Sequence, residues 1–301
     1  MNYSYQAYGL LVQSEFLIQA LSPGKSPDKV ADLRIITAPI TLNGIPYENN
    51  GSIKKMTPEG LLLSVKGVAS YLISHKNSIT VDVFSKKNEL AESILLGPVF
   101  TAFLIKKEYQ VLSGVTLMKN NRTLLLTGIS GVGKSSVAAA LSMRGYTVLS
   151  DQICALKVSN GEVLAMTAKP NLKLWEDCLE QLNLDATQLQ KVRKELNKYY
   201  YPVLHKNIAG SYPLNAIYEL EISPKWGKKL MTIEEDTFQA FKLIGRNTAW
   251  KYLHHELGFE LNSFKNISSI SANVDCKRIA RPYALYNLSE LTDFIENQIL
   301  Q

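Results

Sequence analysis

The chain has 301 residues, 46% of them hydrophobic, which is enough for one large domain or for two ordinary ones, each with its own core. The formal net charge of +6 comes from 33 basic and 27 acidic residues that occur in short groups, so a basic tail for nucleic acid is not expected. The longest apolar stretch, around residues 94–105, falls short of the ~20 residues that a membrane-spanning helix needs.

The N-terminus and the cysteines add to these exclusions. The first residues lack the basic and apolar segments of a signal peptide. The three cysteines, Cys154, Cys178 and Cys276, have neither the spacing of a zinc site nor the even number of a disulfide framework, so we expect three buried thiols. Together these features predict a cytoplasmic protein with neither nucleic acid nor a membrane among its partners, and they leave a homo-oligomer open.

Residues 1–107 are predicted to form a β-rich accessory domain. Short apolar runs alternate there with turn residues, which is typical of strands and hairpins. Asn88 can cap a helix that bends at Gly97-Pro98 and resumes to about Lys107, and this helix would link the two domains. The predicted strands are residues 9–13, 33–37, 61–65, 70–74 and 78–84, with loops at residues 22–28, 47–51 and 75–77.

Residues 108–301 are predicted to form an α/β domain, because apolar runs of strand length alternate there with helical segments. The segment 190–201 has two interpretations: a basic, substrate-facing loop, or an amphipathic helix whose basic face lies in solvent. The predicted strands are residues 110–118, 123–127 and 146–150, and the predicted helices are residues 134–144, 173–182, 187–198, 234–246 and 289–300.

A phosphate-binding motif lies between a predicted strand and a predicted helix. The pattern G-x-x-x-x-G-K-[ST] is met by Gly128, Gly133, Lys134 and Ser135. Glycines allow a backbone conformation in which amide groups converge on phosphate oxygens, and the following helix N-terminus adds partial positive charge. We therefore prefer a nucleotide-binding loop to the alternative, a purely structural glycine-rich turn. We call residues 128–135 the phosphate loop.

The motif assigns individual roles and two cofactors, ATP and Mg²⁺. Lys134 is predicted to reach the β- and γ-phosphates, which makes it a candidate catalytic residue, and the Ser135 hydroxyl is predicted to ligate magnesium. The residues predicted to contact the nucleotide are Gly128, Ser130, Gly131, Val132, Gly133, Lys134, Ser135 and Ser136.

An acidic residue follows the next predicted strand. Asp151 comes directly after residues 146–150, and we expect it at the carboxyl edge of the sheet, near the phosphate loop. Three roles are open for it: a ligand for magnesium, the acceptor of the proton from an attacking hydroxyl, or simply a cap for the next segment. The first two make Asp151 the second candidate catalytic residue.

From about Ser113 to the C-terminus the chain resembles the C-terminal domain of HPr kinase/phosphorylase and the related serine kinases of ribosomally made peptides, including lasso peptides. The similarity is carried by Ser113-Gly-Val, by the phosphate loop and by the run from Ala139 to Asp151, Ala-Ala-Leu-Ser-Met-Arg-Gly-Tyr-Thr-Val-Leu-Ser-Asp. The resemblance implies a P-loop kinase domain of this type behind a β-rich accessory domain. It also implies transfer of the γ-phosphate of ATP to a serine hydroxyl of a peptide or small protein.

Two positions depart from the family pattern. Ser113 occupies a position where the family has histidine, and Gln152 one where it has a second aspartate, so the family's reverse, phosphate-consuming activity is not expected. The same departures favour an alternative, a nucleotide-binding regulatory module without phosphotransfer. Arg246 and Arg281 are each a candidate for contacting the transferring phosphoryl group, with an ordinary ion pair as the competing interpretation.

Overall fold

The structure is a computed structural model that describes residues 2–24, 30–48, 51–83, 88–203, 210–222, 229–282 and 287–300. It forms two compact units: Met1–Val111 with Ala249–Asn266, and Leu112–Thr248 with Ile267–Gln301. The predicted domains, 1–107 and 108–301, were contiguous, whereas the first unit here also takes in residues 249–266. Within the described ranges, no helix is long and apolar enough to cross a membrane.

The first unit is built on a mixed sheet of eight strands in the order β3-β1-β2-β4-β10-β9-β8-β7. Pairing is parallel between β2 and β4 and between β4 and β10, and antiparallel elsewhere. The strands are β1 Tyr3–Ala7, β2 Leu10–Ser14, β3 Ser22–Pro23, β4 Leu33–Thr37, β5 Thr41–Leu42, β6 Ile45–Pro46, β7 Ile53–Thr57, β8 Gly60–Val65, β9 Ala69–Ser74 and β10 Ser78–Val83. The helices that begin in this unit are α1 Asn88–Ile94, a π-helical turn Leu95–Val99, α2 Phe100–Lys106, α6 Tyr252–Leu257 and α7 Glu260–Asn273.

Most of the predicted elements of this region are confirmed. The five predicted strands correspond to β2, β4, β8, β9 and β10. The predicted bend is also confirmed, because Gly97 has non-helical torsion angles and Pro98 lies inside the π-helical turn. Residues 25–28, 49–50 and 84 of the predicted loops and strand, and the capping side chain proposed for Asn88, lie outside what the structure describes.

The second unit contains a second mixed sheet of eight strands, in the order β17-β14-β13-β11-β12-β18-β20-β19. Its strands are β11 Gln110–Lys119, β12 Arg122–Thr127, β13 Thr147–Ser159, β14 Glu162–Met166, β15 Lys173–Trp175, β16 Lys198–Tyr200, β17 Ser211–Pro213, β18 Ala216–Ile222, β19 Met231–Glu234 and β20 Asp275–Arg281. Its helices are α3 Lys134–Met143, α4 Glu176–Gln181, a 3₁₀ turn Ala186–Gln188, α5 Thr237–Arg246 and α8 Leu288–Leu300. The protein is therefore mixed α/β, as predicted.

Helices cover both faces of this sheet. Leu124 and Leu126 of β12 pack in one buried cluster with α3 and α8. Leu125, between them, packs in a second cluster with α5 and α7. Because alternate side chains of a strand point to opposite faces, the run Thr-Leu-Leu-Leu-Thr is buried on both sides, and the strand that leads into the phosphate loop is held firmly.

Of two predicted helices in this unit, 187–198 is wrong, and 173–182 is confirmed only from Glu176 to Gln181. The helical part of this segment is one 3₁₀ turn, Ala186–Gln188, in which the Asp185 side chain accepts a hydrogen bond from the Thr187 amide. Residues 189–197 are irregular. The aromatic run that follows pairs as β16 with β15, so residues 173–175, predicted as helix, are also a strand. Tyr199 is buried in the core beneath this pairing, and that tertiary contact prevails over the helical spacing of Leu189, Val192 and Leu196.

Candidate active site

The phosphate loop leaves β12 and enters α3, as the motif predicts. β12 pairs antiparallel with β11 and parallel with β18, which places it inside the sheet. The Thr127 hydroxyl donates a 2.7 Å hydrogen bond to the Ser113 carbonyl and joins the end of β12 to its neighbour. Gly133 is the N-cap of α3, with a left-handed φ of 108° and no side-chain cap. The N-terminus of α3 therefore has no side-chain acceptor at its cap position.

Two glycines of the loop are required for different reasons. At Gly128, φ is 129° and a β-carbon would lie 2.4 Å from the Leu220 carbonyl oxygen of β18. At Gly131, φ is 83°, but a β-carbon would meet nothing within 4 Å. Gly128 thus allows the loop to pass close to the neighbouring strand, whereas Gly131 only supplies a left-handed turn.

The loop amides form an unpaired set. The Val132 amide donates to the Ile129 carbonyl at 3.3 Å, which turns the loop back on itself. Within the part of the chain that the structure describes, the amides of Gly131, Gly133 and Lys134 donate no hydrogen bond. Unpaired amides at the start of a helix, combined with the helix dipole, suit an anion with several oxygens.

Lys134 lies across the loop. Its Nζ atom donates to the carbonyl oxygens of Gly128 at 2.7 Å and Ile129 at 2.8 Å. Because an ammonium group carries three protons, one remains for a ligand. Burial lowers the pKa of Lys134, and the nearby Asp151 and Cys154 oppose that shift. The side chain therefore braces the loop and brings a positive charge to it.

The remaining loop residues differ in exposure. Ile129 and Ser130 are exposed at the tip, and Ser135 is half-buried in the first turn of α3. Ser136 is also half-buried, and its hydroxyl interacts with the buried thiol of Cys178 in α4. The chain thus gathers all of the predicted nucleotide-binding residues at one turn.

Asp151 is inside β13 and not at its end, which corrects the prediction that the strand stops at Ser150. The strand continues to Ser159, and a left-handed residue, Gln152 with φ of 66°, interrupts its regular geometry directly after the aspartate. β13 also neighbours β11 in the sheet, so β12 and β13 are separated by one strand.

The carboxylate of Asp151 is buried and unsatisfied. The residue as a whole is half-buried, but both oxygens are shielded from solvent, and neither has a hydrogen-bond partner of good geometry among the described residues. Burial raises the pKa of Asp151 to about 7, against the opposing effects of the Gln152 amide and of Lys173, Lys134 and Lys198. A carboxyl group with this pKa exchanges a proton near neutral pH, which is what a general base requires.

Two of those lysines were not anticipated as site residues. Lys173 and Lys198 lie on the antiparallel β15–β16 hairpin, and both regions were predicted to be helical. The run Lys-Leu-Trp and the run Lys-Tyr-Tyr-Tyr are short alternating segments that could have been paired as strands. Of the two interpretations of residues 190–201, the amphipathic helix is wrong, and a substrate-facing role for this segment stays a prediction.

The two candidate arginines have structural partners. Arg246 makes a bidentate contact with the buried Glu219, with Nε to Oε1 at 2.8 Å and a second contact from Nη2 to Oε2. Asn247 adds a 2.7 Å bond to Glu219 Oε1. Arg281 is buried at the end of β20, and its Nε donates to the Val132 carbonyl at 3.3 Å. Arg246 therefore makes an ordinary ion pair, as the competing interpretation predicts. Arg281 stabilises the phosphate loop through its hydrogen bond to the main chain of Val132.

The cysteines are buried, as predicted. Cys154 lies beside Asp151 and Lys134, and burial raises the pKa of its thiol to about 11, so it is not a nucleophile near neutral pH. Among the residues that the structure describes, no group of three or more histidine, cysteine, aspartate or glutamate side chains is arranged to hold a metal ion.

No protein-family model and no curated protein matches this chain. Among solved structures, the Hpr(Ser) kinase/phosphatase from Coxiella burnetii is similar over 64% of this chain and 91% of its own, with 14% sequence identity and a TM-score of 0.34. A similarity at that level indicates at most a distant relationship of fold and carries no argument about function. The function must therefore be argued from the site itself.

Proposed function

We propose that the chain is an ATP-dependent kinase that transfers the γ-phosphate to a serine hydroxyl of a peptide or small protein. One observation carries the proposal: a loop of unpaired amides with Lys134 lies within electrostatic range of a buried, unsatisfied carboxylate, Asp151. The first feature suits a polyphosphate, and the second suits removal of a proton beside it.

The amides of the phosphate loop and the Lys134 ammonium would hold the β- and γ-phosphates. Mg²⁺ fits the residues present, since a half-buried hydroxyl at Ser135 and a carboxylate without a hydrogen bond at Asp151 are oxygen donors, and the phosphates and water would complete its shell. When bound, the metal would neutralise charge that develops on the transferring phosphoryl group.

Asp151 would act on the acceptor. Its carboxylate takes the proton from the serine hydroxyl, while the serine oxygen forms a bond to the γ-phosphorus and the bond from that phosphorus to the β-γ bridging oxygen breaks, leaving ADP. Because the pKa of Asp151 is raised to about 7, the carboxylate is a stronger base than an ordinary aspartate and is still ionised in a substantial fraction of molecules at neutral pH.

Transfer of labelled phosphate from [γ-³²P]ATP to serine peptides tests the proposal. Lys134→Ala and Asp151→Asn should each abolish labelling, whereas Lys242→Gln, which replaces an exposed lysine on α5, should label as the unmodified protein does. Full labelling by Asp151→Asn would exclude the proposed role of the carboxylate.

A nucleotide-binding regulatory module is the second candidate. It is favoured by the burial of both Asp151 oxygens, since a base must be exposed to its substrate, and by Ser113 and Gln152 at the two departures from the family pattern. ATP binding without peptide labelling and without ADP release would choose the module over the kinase.

A further inference from the structure

The β15–β16 hairpin has two distinct faces. Its register pairs Lys173 with Tyr200 and Trp175 with Lys198, so these four side chains share one face. The intervening pair, Leu174 and Tyr199, points the other way and is buried in the core. We call the first set, Lys173, Trp175, Lys198 and Tyr200, the lysine face.

The charges of the lysine face are not compensated. Neither Lys173 nor Lys198 makes an ion pair with any residue that the structure describes. Lys173 interacts electrostatically with Asp151, Lys198 and Arg193, which places one acidic group among three basic ones. Both lysines are half-buried, so water screens this excess only in part. An anionic ligand would relieve it.

Asp151 lies within electrostatic range of both the phosphate loop and the lysine face. Lys134 interacts with Asp151 and Cys154, whereas Lys173 interacts with Asp151, Lys198 and Arg193. The carboxylate is the group that the phosphate loop and the hairpin share. If the loop holds the phosphates of ATP and Asp151 acts on the acceptor, the lysine face is near the carboxylate at which the acceptor reacts.

We infer that the lysine face binds the acceptor peptide and selects one that carries glutamate or aspartate next to the phosphorylated serine. Calling this peptide the acceptor rests on the proposed function. Binding of the peptide to the lysine face does not itself require phosphotransfer. Lys173 and Lys198 pair with the peptide carboxylates. Trp175, 48% exposed and with the Lys198 ammonium 5.0 Å from its ring centroid, offers a flat apolar surface to a neighbouring peptide side chain.

A basic and aromatic surface also suits single-stranded nucleic acid, where bases stack on aromatic rings. The small extent of this face favours the peptide. Its strands are only three residues long, which is short for a surface that must follow about 4–16 nucleotides of a continuous phosphate backbone.

Peptide binding to the full chain tests the inference. Two fluorescein-labelled peptides would share one serine and differ only in flanking residues, glutamates in one and glutamines in the other, and fluorescence anisotropy would be measured with a non-hydrolysable ATP analogue present. We expect the glutamate peptide to bind about tenfold more tightly, from two partly screened charge pairs, and expect that preference to shrink with added salt. The double variant Lys173→Gln/Lys198→Gln should lose the preference, and the control Lys242→Gln should keep it.

Each outcome decides between the alternatives. Equal binding of both peptides, or an unchanged preference in the double variant, overturns the inference. The inference is also overturned if a labelled oligouridylate binds more tightly than the glutamate peptide and the double variant loses that binding. Retained binding of a fluorescent ATP analogue shows that the double variant is folded. A preserved glutamate preference in a protein that labels no peptide would refute the kinase proposal and leave the binding surface intact.

Discussion

Replacing Asp151 by asparagine should make the protein more stable at neutral and basic pH. The folded protein raises the pKa of this carboxyl group from 3.8 to about 7, chiefly by burial, whereas the unfolded chain restores the ordinary value. Between these two values the folded state retains a proton that the unfolded state has released. The contribution of Asp151 to stability is therefore full below pH 3.8 and is lost as the pH rises to about 7.

The size of the effect follows from that shift. A shift of about three pKa units corresponds to about 4 kcal/mol, because one unit is worth 1.36 kcal/mol. Asparagine has nearly the same shape but no charge, so the variant avoids this cost. Its free energy of unfolding, relative to that of the unmodified protein, should rise by about 3 kcal/mol between about pH 5 and pH 8. The same substitution should abolish peptide labelling.

Urea denaturation followed by circular dichroism at several pH values measures this difference. Asp151→Ala provides a matched comparison, since it also lacks the carboxyl group and should show the same rise with pH, offset by a constant loss for the cavity it leaves. If the difference between Asp151→Asn and the unmodified protein does not change with pH, the carboxylate is not held in an unfavourable charged state, and the argument for a raised pKa fails.

Three further substitutions test other parts of the site. Lys134→Ala should weaken binding of a fluorescent ATP analogue by roughly ten- to a hundredfold. Unchanged affinity would show that the Lys134 ammonium only stabilises the loop and does not contact the nucleotide. Gly128→Ala should lower the free energy of unfolding by about 2–4 kcal/mol, because its β-carbon clashes with a main-chain carbonyl. Gly131→Ala, whose β-carbon meets open space, should lower it by only about 1 kcal/mol. Equal losses for the two variants in chemical denaturation would contradict this reasoning. Arg246→Gln should cost about 1–3 kcal/mol because Glu219 stays buried with a weaker partner, an effect that should vanish in a Glu219→Gln background.

The phosphate loop could be predicted from sequence because every signal for it is local. The strand, the glycines and the helix follow one another within residues 123–143, and the structure places β12, the loop and α3 there. The same holds for the bend at Gly97-Pro98, where one dipeptide decides the geometry. Elements of this kind need no knowledge of the rest of the chain.

The hairpin that carries Lys173 and Lys198 could not be predicted in this way. Its two strands are separated by more than twenty residues, and each is only three residues long, too short for its own periodicity to be decisive. What fixes it is the burial of Leu174 and Tyr199 against the core. Asp151 is an intermediate case: its proximity to the loop was expected, but β13 continues past it and lies beside β11, an arrangement that pairing across the sheet decides.

Both chemical roles considered for Asp151 need an ionised carboxylate, but only metal ligation requires its proton to leave when the nucleotide binds. Since the pKa of the free carboxyl group is about 7, most molecules carry a proton there at pH 6. A ligand for Mg²⁺ must be ionised, so metal ligation by Asp151 would release that proton when Mg-ATP binds. If the metal is held by Ser135 and the phosphates alone, the nucleotide brings negative charge near the carboxyl group and offsets Lys134, so Mg-ATP binding releases no proton from Asp151. Transfer then occurs in the molecules whose Asp151 carboxylate is already ionised. Calorimetric titrations with Mg-ATP in buffers of different ionisation enthalpy count this proton. Release that disappears in Asp151→Asn assigns the residue to the metal, whereas binding without release leaves its carboxylate as the base for the serine.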